Sequence, residues 1–426
     1  MLVALAVVLG ATPAAAAPAP DAPAADAPRP TVDPAAPTPT APLPGGPPQG
    51  YGPGGVTVGG EGLDTRGTVV VDGAPPLPDG VVAPAWLVAD AGTGDVLAAR
   101  DPHGRHYPAS TLKTLTLLTL VPRLDPALVV EGTVEDEAVE GSRVGMVAGG
   151  RYPVSLLFAA LVMQSGNDAA TALARAAGGE EATVAAMNAR ALEMGAFDTV
   201  VGTPSGLDVA GQSSSPYDLA LFFRALVADP VTAAIVRTPT AEMPAAGDRP
   251  GFQIQNENPL ADSPGNLGGK TGFTDAARHT FVTAAERHGR RLVVSVMGTE
   301  RVPLRAADQA ALLLDWGFAV PPSLGGVGRL VSSAAEVPAP PPSPEATPDG
   351  PAGVAAGPVD PSGAADGGPP ALGLLALGAA AAAVVAATVT RRRRAVRPRP
   401  PAPGPAARGR RGPPGSGTAG SRSRRR

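Results

Sequence analysis

The sequence lacks cysteine and is poor in aromatic residues. None of its 426 residues is cysteine, which excludes a thiol nucleophile, a cysteine-ligated metal and any disulfide bond. Aromatic residues make up 3% of the chain, so a folded core has to rest on leucine, valine and alanine. His103 and His106 lie close together, but no nearby carboxylate cluster completes a metal site, and we interpret both as ordinary surface or edge residues. The sequence therefore predicts neither a bound metal nor a cofactor.

Lysine is almost as scarce as cysteine. Lys113 and Lys270 are the only two, and the other 32 of the 34 basic residues are arginine. A composition rich in alanine, glycine, proline and arginine indicates a coding bias that uses arginine wherever a positive charge is sufficient. Arginine keeps its proton near neutral pH, whereas a lysine amine can lose it when it is desolvated or placed beside another cation. The two lysines therefore predict two sites that need an amine rather than a charge.

Positive charge is concentrated at the C-terminal end. Residues 391–426 hold 13 of the 34 basic residues and none of the 38 acidic ones, which leaves the rest of the chain with a net charge of −17. They directly follow residues 371–390, a stretch of 20 small or apolar residues without a charge. A helix of about 20 apolar residues spans a bilayer, and its positive flank stays in the cytoplasm.

We therefore predict a single C-terminal transmembrane helix at residues 371–390, an arginine-rich cytoplasmic tail that touches anionic lipid, and a body outside the cell membrane. A buried core helix is the alternative interpretation of the apolar stretch. The acidic body argues against a nucleic-acid partner.

The remaining chain divides by composition. Residues 1–17 combine an apolar run with a run of alanines, as in a secretory signal peptide, although no basic residue precedes the apolar run. Residues 18–83 and 337–370 are dominated by proline, alanine and glycine, and they predict a disordered spacer and a stalk. Residues 84–336 have a globular composition and are numerous enough for one sizeable core.

Hydrophobic periodicity within this body predicts strands at both ends and helices between them. The first two strands form a β-hairpin around a glycine-containing turn. Strands are predicted at residues 86–89, 96–99, 280–285 and 291–297. Helices are predicted at residues 110–120, 154–163, 168–177, 184–194 and 216–228. This order predicts an α+β domain whose sheet joins the first and last strands.

Three short motifs carry residues suited to nucleophilic catalysis. Ser110 and Lys113 lie on one face of a predicted helix, with Ser110 at its first turn, where the helix dipole favours a developing anion. A serine hydroxyl needs an adjacent base, and a neutral Lys113 amine can serve as one. Ser165 and Asn167 flank a glycine between two predicted helices. There the hydroxyl could pass a proton to a leaving group, and the amide could hold a peptide.

The third motif is Lys-Thr-Gly-Phe-Thr, which begins at Lys270 and precedes a predicted strand. Lys270 would raise the positive potential around Lys113 and so help to keep that amine neutral. Gly272 would let a substrate backbone approach closely. The backbone N–H of Phe273 could join that of Ser110 as an oxyanion hole.

In this order, the three motifs resemble those of the penicillin-interacting serine enzymes, the D,D-peptidases and serine β-lactamases. The resemblance covers most of residues 85–320 and is greatest to the low-molecular-mass D-alanyl-D-alanine carboxypeptidases of bacterial cell walls. It is carried by residues 107–113, 163–170, 202–208 and 269–274. It implies an antiparallel sheet flanked by helices, with a helical subdomain. Members often carry a further β-rich domain, and here a proline-rich stalk stands in its place.

The resemblance also implies a reaction. Ser110 would attack the carbonyl between the two terminal D-alanines of a peptidoglycan stem peptide, with Lys113 as base. Ser165 and Lys270 would relay a proton to the departing D-alanine, and water would then release the shortened peptide. β-Lactam antibiotics would acylate Ser110 because they imitate the D-Ala-D-Ala end. The implied binding residues are Asn167 for a peptide amide, Thr271 and Thr274 for the terminal carboxylate, Gly272 and Phe273 beside the oxyanion, and Arg305, with Arg301 as its alternative.

Three functions remain open from the sequence. The first is a D,D-carboxypeptidase. The second is another enzyme on the same fold, either a D,D-endopeptidase that cuts crosslinks or a β-lactamase. The third is an inactive wall-binding or antibiotic-sensing protein. A class A β-lactamase needs a glutamate four residues before an asparagine, and none of the five asparagines has one, which disfavours fast penicillin hydrolysis. The complete set of catalytic residues disfavours an inactive binder.

Overall fold

The computed structural model describes residues 49–338. The predicted signal peptide, the first part of the spacer, nearly all of the stalk, the transmembrane helix and the tail lie outside the described residues. Among residues 49–338, no single helix has both the length and the apolar composition of a membrane span. Two consecutive helices, Pro216–Ala228 and Pro230–Arg237, have this length and composition only when they are taken together, and the chain bends by 102° between them.

Antiparallel strands make up one large sheet and two small two-stranded sheets. In chain order, the strands of the described residues are β1 (Thr68–Val70), β2 (Ala85–Asp90), β3 (Asp95–Arg100), β4 (Val129–Glu131), β5 (Arg151–Pro153), β6 (Thr240–Met243), β7 (Phe252–Gln255), β8 (Asn266–Thr274), β9 (Arg278–Arg287), β10 (Arg290–Thr299) and β11 (Gly328–Arg329). The large sheet has the order β1-β3-β2-β10-β9-β8, and β11 also pairs with β3. The two-stranded sheets are β4–β5 and β6–β7.

The sheet joins the two ends of the domain, as the sequence predicts. The predicted hairpin is β2–β3, and β2 pairs on its other side with β10, where Trp86 lies opposite Val296. Strand β8 stands at the edge of the sheet, and no other strand within residues 49–338 pairs with the outer side of its backbone. This edge strand contains the third motif, Lys270 to Thr274.

Helices cover both faces of the sheet. Those of the described residues are α1 (Lys113–Leu120), α2 (Val134–Ala138), α3 (Val154–Met163), α4 (Asn167–Ala176), α5 (Glu180–Met194), α6 (Pro216–Ala228), α7 (Pro230–Arg237) and α8 (Ala306–Ala319). The five predicted helices correspond to α1, α3, α4, α5 and α6. Helix α6 begins at a serine N-cap followed by proline, two residues that favour the start of a helix. The Ser215 side chain accepts a hydrogen bond from the Asp218 N–H, and Pro216 occupies the first turn.

The core follows the alternation of side chains along the central strands. On β2, Trp86 and Val88 pack with Leu313 of α8 on one face of the sheet. Leu87 of the same strand faces the larger cluster on the opposite side, among the apolar residues of α1, α3 and α6. Because successive strand residues point to opposite faces, one buried strand can serve two cores.

The prediction of a disordered spacer up to residue 83 is wrong for residues 49–83. Strand β1 lies in this segment and pairs with β3, with Thr68 opposite Arg100. Val58 and Leu63 are 2% and 0% exposed within the main core. Replacing a buried leucine with alanine typically costs about 2–5 kcal/mol of stability, so these side chains belong to the stable domain. A segment poor in apolar residues can fold in this way because a preformed sheet edge and core supply its partners.

The two ends of the described region meet. Gly52 packs so closely against Val337 that a Cβ atom at position 52 would lie 2.6 Å from the Val337 Cγ1 atom. Val337 belongs to the main core. The boundary predicted at residues 336 and 337 therefore falls within a packed contact.

His103 is buried, so its interpretation as a surface or edge residue is wrong. Its Nδ1 atom lies 2.8 Å from Asp198 Oδ2, and its Nε2 atom lies 3.1 Å from the Val58 carbonyl oxygen. Burial lowers the pKa of His103, but the hydrogen bond and charge of Asp198 outweigh it and raise the pKa above its usual value. Gly50 N–H also donates to Asp198, at 2.9 Å, so this pair ties the N-terminal segment to the domain. Within residues 49–338, no group of three histidine or acidic side chains could hold a metal ion.

Candidate active site

Ser110 lies in a 3-10 helical turn, Ala109–Leu112, that leads directly into α1. Side chains three residues apart are eclipsed in a 3-10 helix. This geometry places Lys113, the first residue of α1, with its Nζ atom 2.9 Å from Ser110 Oγ. The sequence predicts an ordinary helical first turn, and the tighter turn found here brings the two side chains into direct contact. Ala109 has a φ of 49°, a strained backbone position immediately before the nucleophile.

Lys113 is fully buried, and its amine has three oxygen neighbours. Besides Ser110 Oγ, these are Asn167 Oδ1 at 2.7 Å and the Ser205 carbonyl oxygen at 2.6 Å. The Asn167 amide is oriented by its own Nδ2, which donates to the Glu140 carbonyl at 2.7 Å. A neutral amine has two N–H bonds and one lone pair. Because the amide and carbonyl oxygens can only accept, they take both hydrogens and leave the lone pair for the Ser110 hydroxyl.

Electrostatics favour the neutral form of this amine. Burial, followed by the positive charge of Lys270, holds the pKa of Lys113 well below its usual value, and the Asp168 carboxylate opposes the shift. Burial also lowers the pKa of Lys270 to about 7, against the charge of Glu257. Both directions are those that a lysine base requires, because a protonated amine cannot accept the serine proton.

Lys270 contacts Ser165, as Lys113 contacts Ser110. It lies on β8, and its Nζ atom donates to Ser165 Oγ at 3.0 Å and to the Thr271 carbonyl at 2.8 Å. Ser165 lies between α3 and α4. Its φ of 59° is in the left-handed region, which residues other than glycine rarely adopt. The structure therefore brings together Ser110, Lys113, Ser165, Asn167 and Lys270 around one cleft.

Gly272 is required by the packing of the protein itself. A Cβ atom there would clash with Thr280 Oγ1 and would lie 2.9 Å from the backbone nitrogen of Ser110. The sequence interpretation assigned this glycine to the approach of a substrate, but its first role is to let β8 lie against the nucleophile's turn. The next residue, Phe273, is half-exposed, and its ring contacts that of His279 at a tilt of 37°, with the ring centres 4.5 Å apart. The close contact at Gly272 brings β8 against the turn that carries Ser110. The oxyanion hole of the Ser110 and Phe273 N–H groups stays a prediction.

The residues predicted to bind the substrate carboxylate differ in their burial and in their hydrogen-bond partners. Thr271 is half-buried on β8. Thr274 uses its Oγ1 atom to accept a hydrogen bond from the Ala277 N–H, at 2.9 Å. Arg305 immediately precedes α8 and forms two hydrogen bonds to the carboxylate of Asp308, at 2.9 and 2.7 Å, largely in solvent. Its role in binding substrate stays a prediction.

Arg301, the alternative to Arg305, acts electrostatically near the cleft. Burial, followed by the charge of Arg301, lowers the pKa of His279. His279 lies opposite Phe273 in the pairing of β8 with β9.

Two further groups that hold the site were not assigned from the sequence. One is the Ser205 carbonyl, which accepts from Lys113. Its segment was noticed only as part of the family resemblance, because a backbone acceptor leaves no side-chain signature. The other is Asp168, whose carboxylate accepts hydrogen bonds from three successive backbone N–H groups, those of Val144, Gly145 and Met146, at 2.9, 2.8 and 3.0 Å.

Comparisons with known proteins identify the family of the chain. A family model described as D-alanyl-D-alanine carboxypeptidase matches residues 73–301. The D-alanyl-D-alanine carboxypeptidase DacB2 of Mycobacterium tuberculosis is 46% identical over 264 residues, which cover 61% of this chain and 89% of that protein. The sequence prediction of the family is thereby confirmed.

Solved structures show the same fold. A crystal structure of a D-alanyl-D-alanine carboxypeptidase from Mycobacterium tuberculosis is 44% identical, with a TM-score of 0.58, and the match covers 62% of this chain and 100% of that one. Penicillin binding protein 6B from Escherichia coli is 31% identical, with a TM-score of 0.52 and coverage of 58% and 80%. The predicted α+β fold of the D,D-peptidase type, with an antiparallel sheet and helices, is confirmed, and the chain belongs to the D-alanyl-D-alanine carboxypeptidase family.

Proposed function

We propose that the protein is a serine-type carboxypeptidase that removes the terminal D-alanine from peptidoglycan stem pentapeptides. The observation that carries this proposal is the contact of 2.9 Å between Lys113 Nζ and Ser110 Oγ in a buried site. Burial and a second cation keep the pKa of Lys113 low, so the serine has a base beside it. An inactive binder has no need of such an arrangement.

In the acylation step, Lys113 takes the hydroxyl proton as Ser110 Oγ attacks the carbonyl carbon between the two D-alanines. The carbonyl oxygen becomes negative and is stabilised by the backbone N–H groups of Ser110 and Phe273. The peptide bond then breaks, and the proton that Lys113 took from Ser110 passes through Ser165 and Lys270 to the departing nitrogen, which leaves Lys113 neutral again. With a pKa lowered to about 7, Lys270 can share a proton with Ser165 near neutral pH. Water attacks the resulting ester and frees Ser110.

The substrate is bound as an added strand along the free edge of β8. The edge strand offers backbone N–H and C=O groups to an extended peptide. Beside its bonds to Lys113 and to the Glu140 carbonyl, the Asn167 amide has a second lone pair on Oδ1 and a second hydrogen on Nδ2, and these bind a peptide amide of the substrate. A β-lactam enters in the same orientation and acylates Ser110, because its strained amide takes the place of the D-Ala-D-Ala bond.

Release of free D-alanine tests the function directly. The purified full-length chain is incubated with a short peptide that ends in D-Ala-D-Ala, and with a control peptide that ends in D-Ala-L-Ala. Free D-alanine is expected from the first peptide, without loss of alanine from the control. An absence of release while penicillin still binds covalently would contradict the carboxypeptidase and favour a crosslink endopeptidase or a sensor.

We also propose that the catalytic domain is held outside the cytoplasmic membrane by residues 371–390, with the arginine-rich tail in the cytoplasm. The support is the absence of charge over these residues and the four arginines that follow them. A protease added to cells stripped of their wall is expected to release the catalytic domain into the medium. Protection of the domain in intact cells, with cleavage only after lysis, would refute this orientation.

A further inference from the structure

Strand β8 contains a bulge directly before Lys270. Asn266 lies opposite Ala285 of β9, and Gly269 lies opposite Thr283, so β8 advances by three residues while β9 advances by two. Side chains alternate between the two faces of a sheet, and one extra residue therefore reverses the face of every residue that follows it. The bulge thus decides on which face of the sheet Lys270 lies.

The two faces of the sheet offer different surroundings to this lysine. With the bulge, Lys270 lies opposite Val282, which belongs to the main core, and its Nζ atom reaches Ser165 Oγ on that face. A regular continuation of the pairing before the bulge would place Lys270 opposite Phe281 instead. The Phe281 side chain belongs to the apolar cluster under α8, on the other face. Without the bulge, the amine would therefore point away from Ser165.

Side chains hold the bulge through the backbone of Gly268. The Gly268 N–H donates to Asn266 Oδ1 at 2.9 Å, and the Gly268 carbonyl accepts from Thr283 Oγ1 at 2.7 Å. Gly268 has a φ of 118°, and a Cβ atom there would lie 2.9 Å from Val236 Cγ2, so the bulge requires glycine. Two side chains thus bind both hydrogen-bonding groups of this residue.

The same two side chains bind each other and a third one. Asn266 Nδ2 donates to Thr283 Oγ1 at 3.1 Å, and Asn258 Nδ2 donates to Asn266 Oδ1 at 2.9 Å. Thr283 is fully buried, and Asn258 is 8% exposed. Asn258 also packs on β8 just before the lysine, since a Cβ atom at Gly269 would lie 2.7 Å from its Oδ1 atom. A buried hydrogen-bond network of this kind holds the backbone in one arrangement.

We propose that Asn266 and Thr283 are positioning residues for Lys270, because they hold the bulge of β8 in the arrangement that turns the amine towards Ser165. Their hydrogen bonds to Gly268 and to each other act on the reaction through the position of the lysine. The proposal rests on the proposed function, in which Lys270 and Ser165 carry the proton to the departing D-alanine.

The test removes the hydroxyl of Thr283 and keeps the shape of the side chain. Thr283→Val has no donor for the Gly268 carbonyl, whereas Thr283→Ser keeps one. In the full-length protein, Thr283→Val is expected to lower kcat for D-alanine release by about 10–100-fold, because a small displacement of a catalytic group costs this much. KM is expected to change little, since residues 271–274 keep their pairing with β9. Thr283→Ser is expected to stay close to the wild type.

The amine can also be followed without turnover, because the chain has only two lysines. Full-length protein labelled with [ε-13C]lysine gives two side-chain signals, which the Lys113→Met protein assigns. Burial lowers the pKa of Lys270 to about 7, and the charge of Glu257 opposes this shift. A loosened bulge exposes the amine to water, so the Lys270 signal is expected to titrate at a higher pH in Thr283→Val. This variant leaves Lys113 and Glu257 in place.

Ser295→Ala is the matched control. Ser295 is likewise fully buried in the same sheet, and its hydroxyl donates to the Pro216 carbonyl at 2.6 Å. This variant is expected to lose thermal stability but to keep the kcat and the Lys270 titration of the wild type.

An unchanged kcat or an unchanged Lys270 titration in a folded Thr283→Val protein would overturn the proposal, as would an equal loss in Thr283→Ser. Asn266→Ala, at a half-buried position, gives the same comparison should Thr283→Val not fold. A lack of D-alanine release from the wild type would refute the proposed function instead, and the lysine titration would still decide the positioning role.

Discussion

Replacing Ser110 with alanine is expected to abolish D-alanine release and covalent labelling by penicillin together. Both reactions begin with attack by the same oxygen, and no other group in the cleft takes its place. Removing the nucleophile of a serine hydrolase lowers the rate by about 10⁴-fold or more. The measurement is free D-alanine in parallel with gel detection of a fluorescent penicillin, on wild-type and Ser110→Ala proteins of equal thermal stability.

Ser155→Ala is the matched control, because Ser155 is exposed on α3, away from the two lysines. Its release of D-alanine and its labelling are expected to equal those of the wild type. Persistent labelling of the Ser110→Ala protein would show that another residue is the nucleophile. Loss of release with labelling retained would separate the two reactions and contradict a shared acyl-enzyme.

Replacing Lys113 with arginine is expected to inactivate the enzyme although the positive charge is kept. An arginine side chain stays protonated at all usable pH values and cannot accept the Ser110 proton. The loss of a general base lowers rates by about 10²–10⁴-fold. Substrate turnover and the rate of acylation by penicillin should fall by the same factor, since Lys113 acts in the step that both share.

Arginine is larger than lysine, and Lys113 is fully buried, so folding has to be measured beside activity. Thermal unfolding of Lys113→Arg and Lys113→Met proteins gives that comparison. A Lys113→Arg protein that is folded and inactive supports the neutral-amine base. Activity of this variant close to that of the wild type would refute it.

The features that could be predicted from the sequence are those with a local cause. The β2–β3 hairpin follows from alternating residues around a glycine-containing turn, and α6 follows from a serine cap with proline behind it. The contacts of Ser110 with Lys113 and of Ser165 with Lys270 could be anticipated because the motifs carry the side chains that meet. The two lysines could be recognised as functional from the sequence because the other 32 basic residues are arginine.

What could not be predicted depends on partners distant in the chain. Leu63 lies in a segment with too few apolar residues to fold by itself, and it is buried because β3 and the main core receive it. His103 was interpreted as a surface residue because its partner, Asp198, lies 95 positions later. The Ser205 carbonyl belongs to the backbone, which every residue has, so no residue type reports its role.

The contact between Gly52 and Val337 means that the first and last parts of the domain adjoin. Order along the chain is then separable from order in space. Joining the two ends with a few flexible residues and opening an exposed loop elsewhere would preserve every strand pairing of the sheet. The contacts among Ser110, Lys113, Ser165 and Lys270 would therefore be kept in a permuted chain that begins at another residue.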